Sequence, residues 1–161
     1  MTSMNITIAL ISPLVALTVA FFGIRRSNQS DKVRAFFEMY DKYLKAEVRA
    51  GRKMIHLHVS GKTAEDLKSL DKEVLSSAAY TLAVMNAIAI ACAGNHVDTR
   101  LIARSMGRSY VSTITAAAIF IQQLEHTRGY RPYIYAEQLS RELVRHHNIS
   151  PPNDRETSIQ S

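Results

Sequence analysis

The sequence predicts an all-α membrane protein, with an N-terminal transmembrane helix followed by a bundle of about four helices. Residues 6–24 form a run of nineteen without a charge, and two arginines follow at once. Glycine is sparse and proline absent between residues 30 and 128, which favours helices over a turn-rich β fold. Beyond the run, apolar residues recur at spacings of three and four, the period of a helix.

The uncharged run has the length of a membrane span. Nineteen helical residues cover about 28 Å, close to the roughly 30 Å hydrocarbon core of a bilayer. A cleaved signal peptide has a basic start and a shorter apolar run, whereas residues 1–5 contain no basic side chain. We therefore expect residues 5–25 to be an uncleaved anchor. The alternative is a buried helix of a soluble domain.

The orientation of the anchor follows from its basic flank. No lysine or arginine precedes the run, and four follow it within ten residues: Arg25, Arg26, Lys32 and Arg34. Because basic flanks stay on the cytoplasmic side, the N-terminus is expected outside and the body in the cytoplasm. These four side chains are also expected to contact anionic lipid headgroups.

Residues 26–60 are predicted to form a basic amphipathic helix next to the membrane. Its apolar side chains recur at spacings of four, three and four: Val33, Phe37, Tyr40 and Leu44. Residues 25–62 contain ten lysines and arginines against four acids, whereas residues 63–161 contain ten against ten. The whole excess of charge therefore lies beside the anchor. Its later part is a candidate interaction surface: Lys45, Arg49, Arg52 and Lys53.

Residues 61–147 are predicted to form a helical body, and residues 148–161 a disordered tail. Thr63 and Asp66 have the spacing of a capping box. A long helix runs from residue 71 to 93 and ends at Gly94, and Asp98 or Thr99 caps the next. That helix has Gly107 as a weak point and stops at Gly129. Pro132 suits the first turn of a last helix, which reaches about His147.

Two stretches of the body raise an alternative with three membrane spans. Residues 75–94 and 109–124 carry no charge. Both are diluted by alanine or by polar side chains that insert poorly, and the second is short for a span. We expect them to be central helices of the bundle.

The stretches LDKEVLSSAAYTLAVMNAIAIACAGNHVDTRLIARSMGRSYV and FIQQLEHTRGYRPYIYAEQL carry a resemblance. They resemble the bacterial domain-of-unknown-function 4760 family. The resemblance implies a membrane helix and a helical body, with shared features at Asn86, Gly94, Asp98, Arg128 and Tyr133 or Tyr135. Ala89 stands where the family pattern often has an acidic residue. The resemblance implies no known activity. With the predicted anchor, we expect the chain in the bacterial inner membrane.

Motifs for catalysis are absent from the sequence. It contains no G-x-x-x-x-G-K-[ST], G-x-S-x-G, H-E-x-x-H or C-x-x-C pattern. His56 and His58 lie two apart and so face different sides of a helix, and Cys92 lies among alanines. We therefore expect no enzyme activity, metal or cofactor. Three polar side chains are expected to be buried with structural roles: Asn86, Asp98 and Arg128.

Three hypotheses for function remain. The first is a non-catalytic interaction or sensing module at the membrane, which binds a protein partner or a second copy of the chain. The second is a prophage or defence effector of the exclusion type, suggested by small size and a single anchor. The third, nucleic-acid binding by the basic helix, is disfavoured because those charges lie next to the bilayer.

Overall fold

The structure is a computed structural model that describes residues 29–150, and this part of the chain is α-helical without a β-strand. The all-α prediction is confirmed for these residues. The predicted anchor, and the tail from residue 151 onward, lie outside the described residues. The helices are α1 (29–44), α2 (Ala46–Met54), α3 (Ala64–Lys68), α4 (Lys72–Ala93), α5 (Thr99–Ala116), α6 (Ala118–Arg128) and α7 (Ile134–His147).

Four helices enclose the core. Helix α4 packs against α2 on one side and α7 on the other, and α5 packs against α7. A π-helical turn, Ile55–Val59, extends α2 and contacts α4 and α5. The largest side chains of the core are fully buried and come from α1, the π-helical turn, α4, α5, α6 and α7: Tyr43, Ile55, Leu82, Met85, Ile102, Tyr110, Ile121 and Leu143.

The prediction of one continuous helix over residues 26–60 is wrong at Lys45. The backbone there is extended, with φ −54° and ψ 147°, and separates α1 from α2. Tyr43 and Val48 are both buried, yet five helical residues turn through about 500°, which would leave them about 140° apart on one helix. The break lets both side chains reach the core.

Helix α1 carries two apolar stripes rather than one. Phe36 and Tyr43 are buried against the body, whereas three members of the stripe read from the sequence are exposed: Val33, Phe37 and Leu44. The Phe36 ring stacks on Tyr40 with centroids 5.6 Å apart, and it meets Phe37 edge-on at 5.3 Å. The stripe predicted from the spacing is therefore on the solvent side of α1.

Helix α4 is the one described helix that is long and apolar enough to cross a membrane, a test that the core helix of a soluble protein also passes. Residues 109–124 do not form a single helix. The helix is interrupted at Ala117, which separates α5 from α6. Gly107, the weak point expected from the sequence, does not interrupt α5. The Ile149 side chain packs against it, where a Cβ would lie.

The helix ends predicted at Thr63, Gly94, Asp98 and Gly129 agree with the structure, whereas Pro132 lies before the first turn of α7, which begins at Ile134. Thr63 and Asp66 form a reciprocal capping box, with the Thr63 N–H 3.0 Å from Asp66 Oδ2 and the Asp66 N–H 3.3 Å from Thr63 Oγ1. The hydrogen bonds that the Thr63 N–H and then the Thr63 hydroxyl donate to the Asp66 carboxylate lower the pKa of Asp66. The Asp98 carboxylate accepts the Arg100 N–H at 2.9 Å and caps α5. Gly129 ends α6 with φ 72°, a conformation that favours glycine.

Candidate interaction site

An arginine is fixed where α1, α2 and α5 meet. The Arg52 guanidinium lies over the Tyr43 ring, with Cζ 4.0 Å from the ring centroid. Its Nη1 donates to Ser109 Oγ at 2.8 Å, and the Tyr43 hydroxyl donates to the same oxygen at 3.0 Å. Because Tyr43 is only 1% exposed, this contact holds the guanidinium in one place on the surface.

The charge of Arg52 has no carboxylate partner among residues 29–150. The ion pairs of these residues join other side chains, and Arg52 Nε is buried without a hydrogen-bond partner in this part of the chain. Ser109 is a neutral acceptor that orients the guanidinium without cancelling its charge. Arg52 is therefore both positioned and electrostatically available to an anionic group.

The other members of the predicted surface lie beside Arg52. Lys45, Arg49 and Lys53 are exposed. Arg49, Arg52 and Lys53 fall within about 100° of the α2 circumference, and Lys45 directly precedes the first turn of α2. The acid of this helix, Glu47, falls on the opposite side. We call these four residues the α2 basic face. The structure brings the predicted set together on one side of the helix.

The lipid-contact residues predicted beyond the anchor have partners within the body. Lys32 Nζ donates to Asn95 Oδ1 at 2.7 Å, in the turn between α4 and α5. Arg34 is 83% exposed and pairs with Glu38 at 3.3 Å. Arg25 and Arg26 lie outside the described residues. Lys32 and Arg34 thus have local partners, in contrast to Arg52 of the α2 basic face.

The side chains of Asn86 and Asp98 each accept a hydrogen bond from the start of a helix. The Asn86 side chain is half-buried, and its Oδ1 accepts the backbone N–H of Ala136 at 3.1 Å in the first turn of α7. Asp98 caps α5, and hydrogen bonds from Arg100 lower the pKa of its carboxyl. Both side chains therefore satisfy N–H groups that a helix start leaves without a helical partner.

The expectation of a buried Arg128 is wrong. Arg128 is exposed in the last turn of α6, and Arg131 holds this corner instead. Arg131 makes two hydrogen bonds to Glu137, at 2.7 and 2.8 Å, and a third to Glu125 at 2.8 Å. The sequence placed Arg131 among aromatic residues but contained no signal for these carboxylate partners.

His56 responds to the charge of Arg52. Burial, and then the nearby Arg52 charge, lower its pKa below 6.5. The unfolded chain binds the proton more readily, so this histidine makes stability fall as the pH drops below 6.5. Arg52→Gln is expected to raise the His56 pKa, measured by NMR titration, but not to its ordinary value, because burial is the larger cause. An unchanged pKa would contradict this arrangement.

Cys92 is expected to react slowly with alkylating reagents. Burial, and to a smaller degree the carboxylates of Glu142 and Asp98, raise its pKa from 9.0 to about 11. At neutral pH this leaves about a hundredfold less thiolate than an ordinary cysteine has. Iodoacetamide should modify it far more slowly than an exposed Ser60→Cys thiol in a Cys92→Ala chain. Equal rates would contradict the burial of Cys92.

Residues 29–150 contain a cleft but no cluster of side chains that could hold a metal ion. No group of three histidine, cysteine or acidic side chains within them could hold a metal ion. A cleft of about 570 Å³ lies between the start of α3 and α6, and it is lined by Lys62, Thr63, Ile119, Gln122, Gln123, Glu125 and His126 among others. The Thr63 hydroxyl in this cleft donates to the Asp66 carboxylate at 2.8 Å, as part of the capping box that starts α3.

The fold and the site define a helical body with a fixed arginine inside a cationic helix face. The family model described as Domain of unknown function (DUF4760) matches residues 10–143. The chain belongs to this family, and the resemblance seen in the sequence is confirmed. No curated protein and no solved structure matches the chain.

Proposed function

We propose that the chain is a single-pass protein of the bacterial inner membrane. Residues 5–25 are the anchor, with the N-terminus outside and the helical body in the cytoplasm. The nineteen uncharged residues and the basic side chains that follow them support this orientation. Helix α4 then belongs to the cytoplasmic body. Its contacts with α2 and α7 and the bond from Asn86 to α7 support this placement.

The body acts as a non-catalytic interaction or sensing module for a protein partner at the membrane. The observation that carries this proposal is the α2 basic face, in which Arg52 is held in place without a carboxylate partner in the described part of the chain. A positioned guanidinium loses less side-chain entropy on binding than a mobile one. Its complement is an acidic surface of the partner.

Charge reversal tests this proposal. The full chain with Lys45→Glu, Arg49→Glu and Lys53→Glu is compared with a matched control that has Arg104→Glu, Arg141→Glu and Arg145→Glu. All six side chains are exposed, so neither triple variant disturbs the core. After cross-linking in native membranes, the α2 variant should retain at least about tenfold less partner than the control, a difference of about 1.4 kcal/mol.

Salt and stability complete the test. The wild-type association should weaken between about 0.1 M and about 1 M salt, because charges at an exposed surface are screened. Circular dichroism should show equal helix content in both variants. Equal loss of partner in the two triple variants, or an association that salt leaves unchanged, would show that the α2 basic face is not the binding surface.

A further inference from the structure

The exposed apolar side chains of α1 form a stripe that the body does not cover. Val33, Phe37 and Leu44 are 41%, 61% and 42% exposed, and Tyr40 between them is half-buried. Their spacings of four, three and four are those of the a and d positions of a heptad repeat. We call these four residues the α1 stripe. Phe36 and Tyr43 fix the neighbouring side of α1 to the core, so the stripe stays open to a second molecule.

The charges around the α1 stripe favour a protein as its occupant over a lipid surface. Residues 29–44 contain three acids and three bases: Asp31, Lys32, Arg34, Glu38, Asp41 and Lys42. Helices that lie in a membrane interface have a polar face rich in lysine and arginine. A net charge of zero gives no attraction to anionic headgroups. It also gives no net repulsion between two copies of this helix.

The heptad register of the α1 stripe continues back into the uncharged run. Counted in sevens from Phe37 and Tyr40, the register passes Ser30 and Arg26, and its positions within that run then hold small residues or valine: Ala9, Ser12, Ala16, Val19 and Gly23. Small residues are the ones that let transmembrane helices approach closely. Two copies anchored in one membrane with the same orientation run parallel.

We propose that α1 is the pairing helix of a parallel homodimer. Val33, Phe37, Tyr40 and Leu44 of one copy meet the same residues of the second copy across a two-fold axis. The pairing covers the exposed Phe37 ring and leaves the α2 basic face of each copy free. The parallel direction rests on the anchor of the proposed function, whereas the open stripe is independent of it.

Disulfide cross-linking of the full chain in its native membrane tests the pairing. In a Cys92→Ala background, Phe37→Cys is compared with Lys42→Cys, which is exposed on the same helix about 140° away. Disulfides need Cβ atoms about 4 Å apart, so oxidation should link Phe37→Cys at least about tenfold faster than Lys42→Cys. Equal rates at the two positions would overturn the proposal.

Two further measurements separate the alternatives. Linkage that appears only between Val33→Cys and Leu44→Cys copies would overturn the parallel arrangement, because it requires antiparallel helices. Phe37→Glu should shift the detergent-solubilised chain from dimer to monomer in mass measurements, while Lys42→Glu should not. If Phe37→Cys does not form a disulfide, the pairing is overturned. If the body of the same chain is labelled only from the cytoplasmic side, the proposed function still stands.

Discussion

Replacing Gly51 by alanine is expected to lower the free energy of unfolding by about 2 kcal/mol, because it overpacks the contact between α2 and α4. A Cβ at this position would collide with Thr81 Oγ1 and lie 2.7 Å from the Ser77 carbonyl oxygen. In an open helix the same substitution would add up to about 1 kcal/mol of stability. The sign of the change therefore reports how closely the two helices approach.

A double-mutant cycle with Thr81→Ala isolates this contact. Thr81 Oγ1 is buried and has no hydrogen-bond partner within residues 29–150, so its removal relieves the collision without breaking a bond. The effects of the two substitutions on the free energy of unfolding should couple by more than about 1 kcal/mol. The double mutant should still lose some stability, because the Cβ also lies close to the Ser77 carbonyl oxygen. The free energies of unfolding are measured by denaturing the full chain in detergent and monitoring its helix content by circular dichroism. A stabilising Gly51→Ala, or strict additivity, would contradict the close approach.

Asn86→Ala is expected to lower the free energy of unfolding by about 2 kcal/mol, because it leaves a buried N–H without a partner. Ala136 is fully buried, and its N–H lies in the first turn of α7, where the helix supplies no acceptor. The Asn86 oxygen at 3.1 Å is its acceptor. Faster hydrogen exchange at Ala136 should accompany the loss, since α7 then frays from its start.

Asn86→Asp is the matched control. It keeps an acceptor at the same place and puts a negative charge near the N-terminus of α7, where the helix dipole favours it. The aspartate chain should therefore lose clearly less stability than the alanine chain. Equal losses would show that Asn86 acts by size alone, and a fully stable Asn86→Ala chain would show that the hydrogen bond does not hold α7.

Local chemistry made several features of the fold predictable. The capping box at Thr63, the cap at Asp98 and the ends at Gly94 and Gly129 depend on neighbouring residues, and each is present in the structure. The breaks at Lys45 and Ala117 were not predicted. They depend on which faces of the flanking helices the core buries, and the spacing of apolar residues in α1 was compatible with two faces.

The candidate site was predictable in its charge but not in its geometry. The cations Arg49, Arg52 and Lys53 follow from their spacing along one helix, and Lys45 directly precedes it. Among the four, Arg52 is the one whose guanidinium is held in place by Ser109, which lies 57 residues further along the chain. Likewise, the partner of Asn86 lies 50 residues away. Contacts at these separations leave no mark in a single sequence.

The placement of α4 on the cytoplasmic side is the central claim, and cysteine labelling of the full chain tests it most directly. In a Cys92→Ala background, Thr2→Cys lies before the anchor, and Lys62→Cys and His96→Cys lie on either side of α4. An impermeant maleimide added to intact spheroplasts should label Thr2→Cys alone. Lys62→Cys and His96→Cys should react only after lysis. Labelling of Lys62→Cys and His96→Cys from opposite sides would show that α4 spans the membrane and would contradict the account.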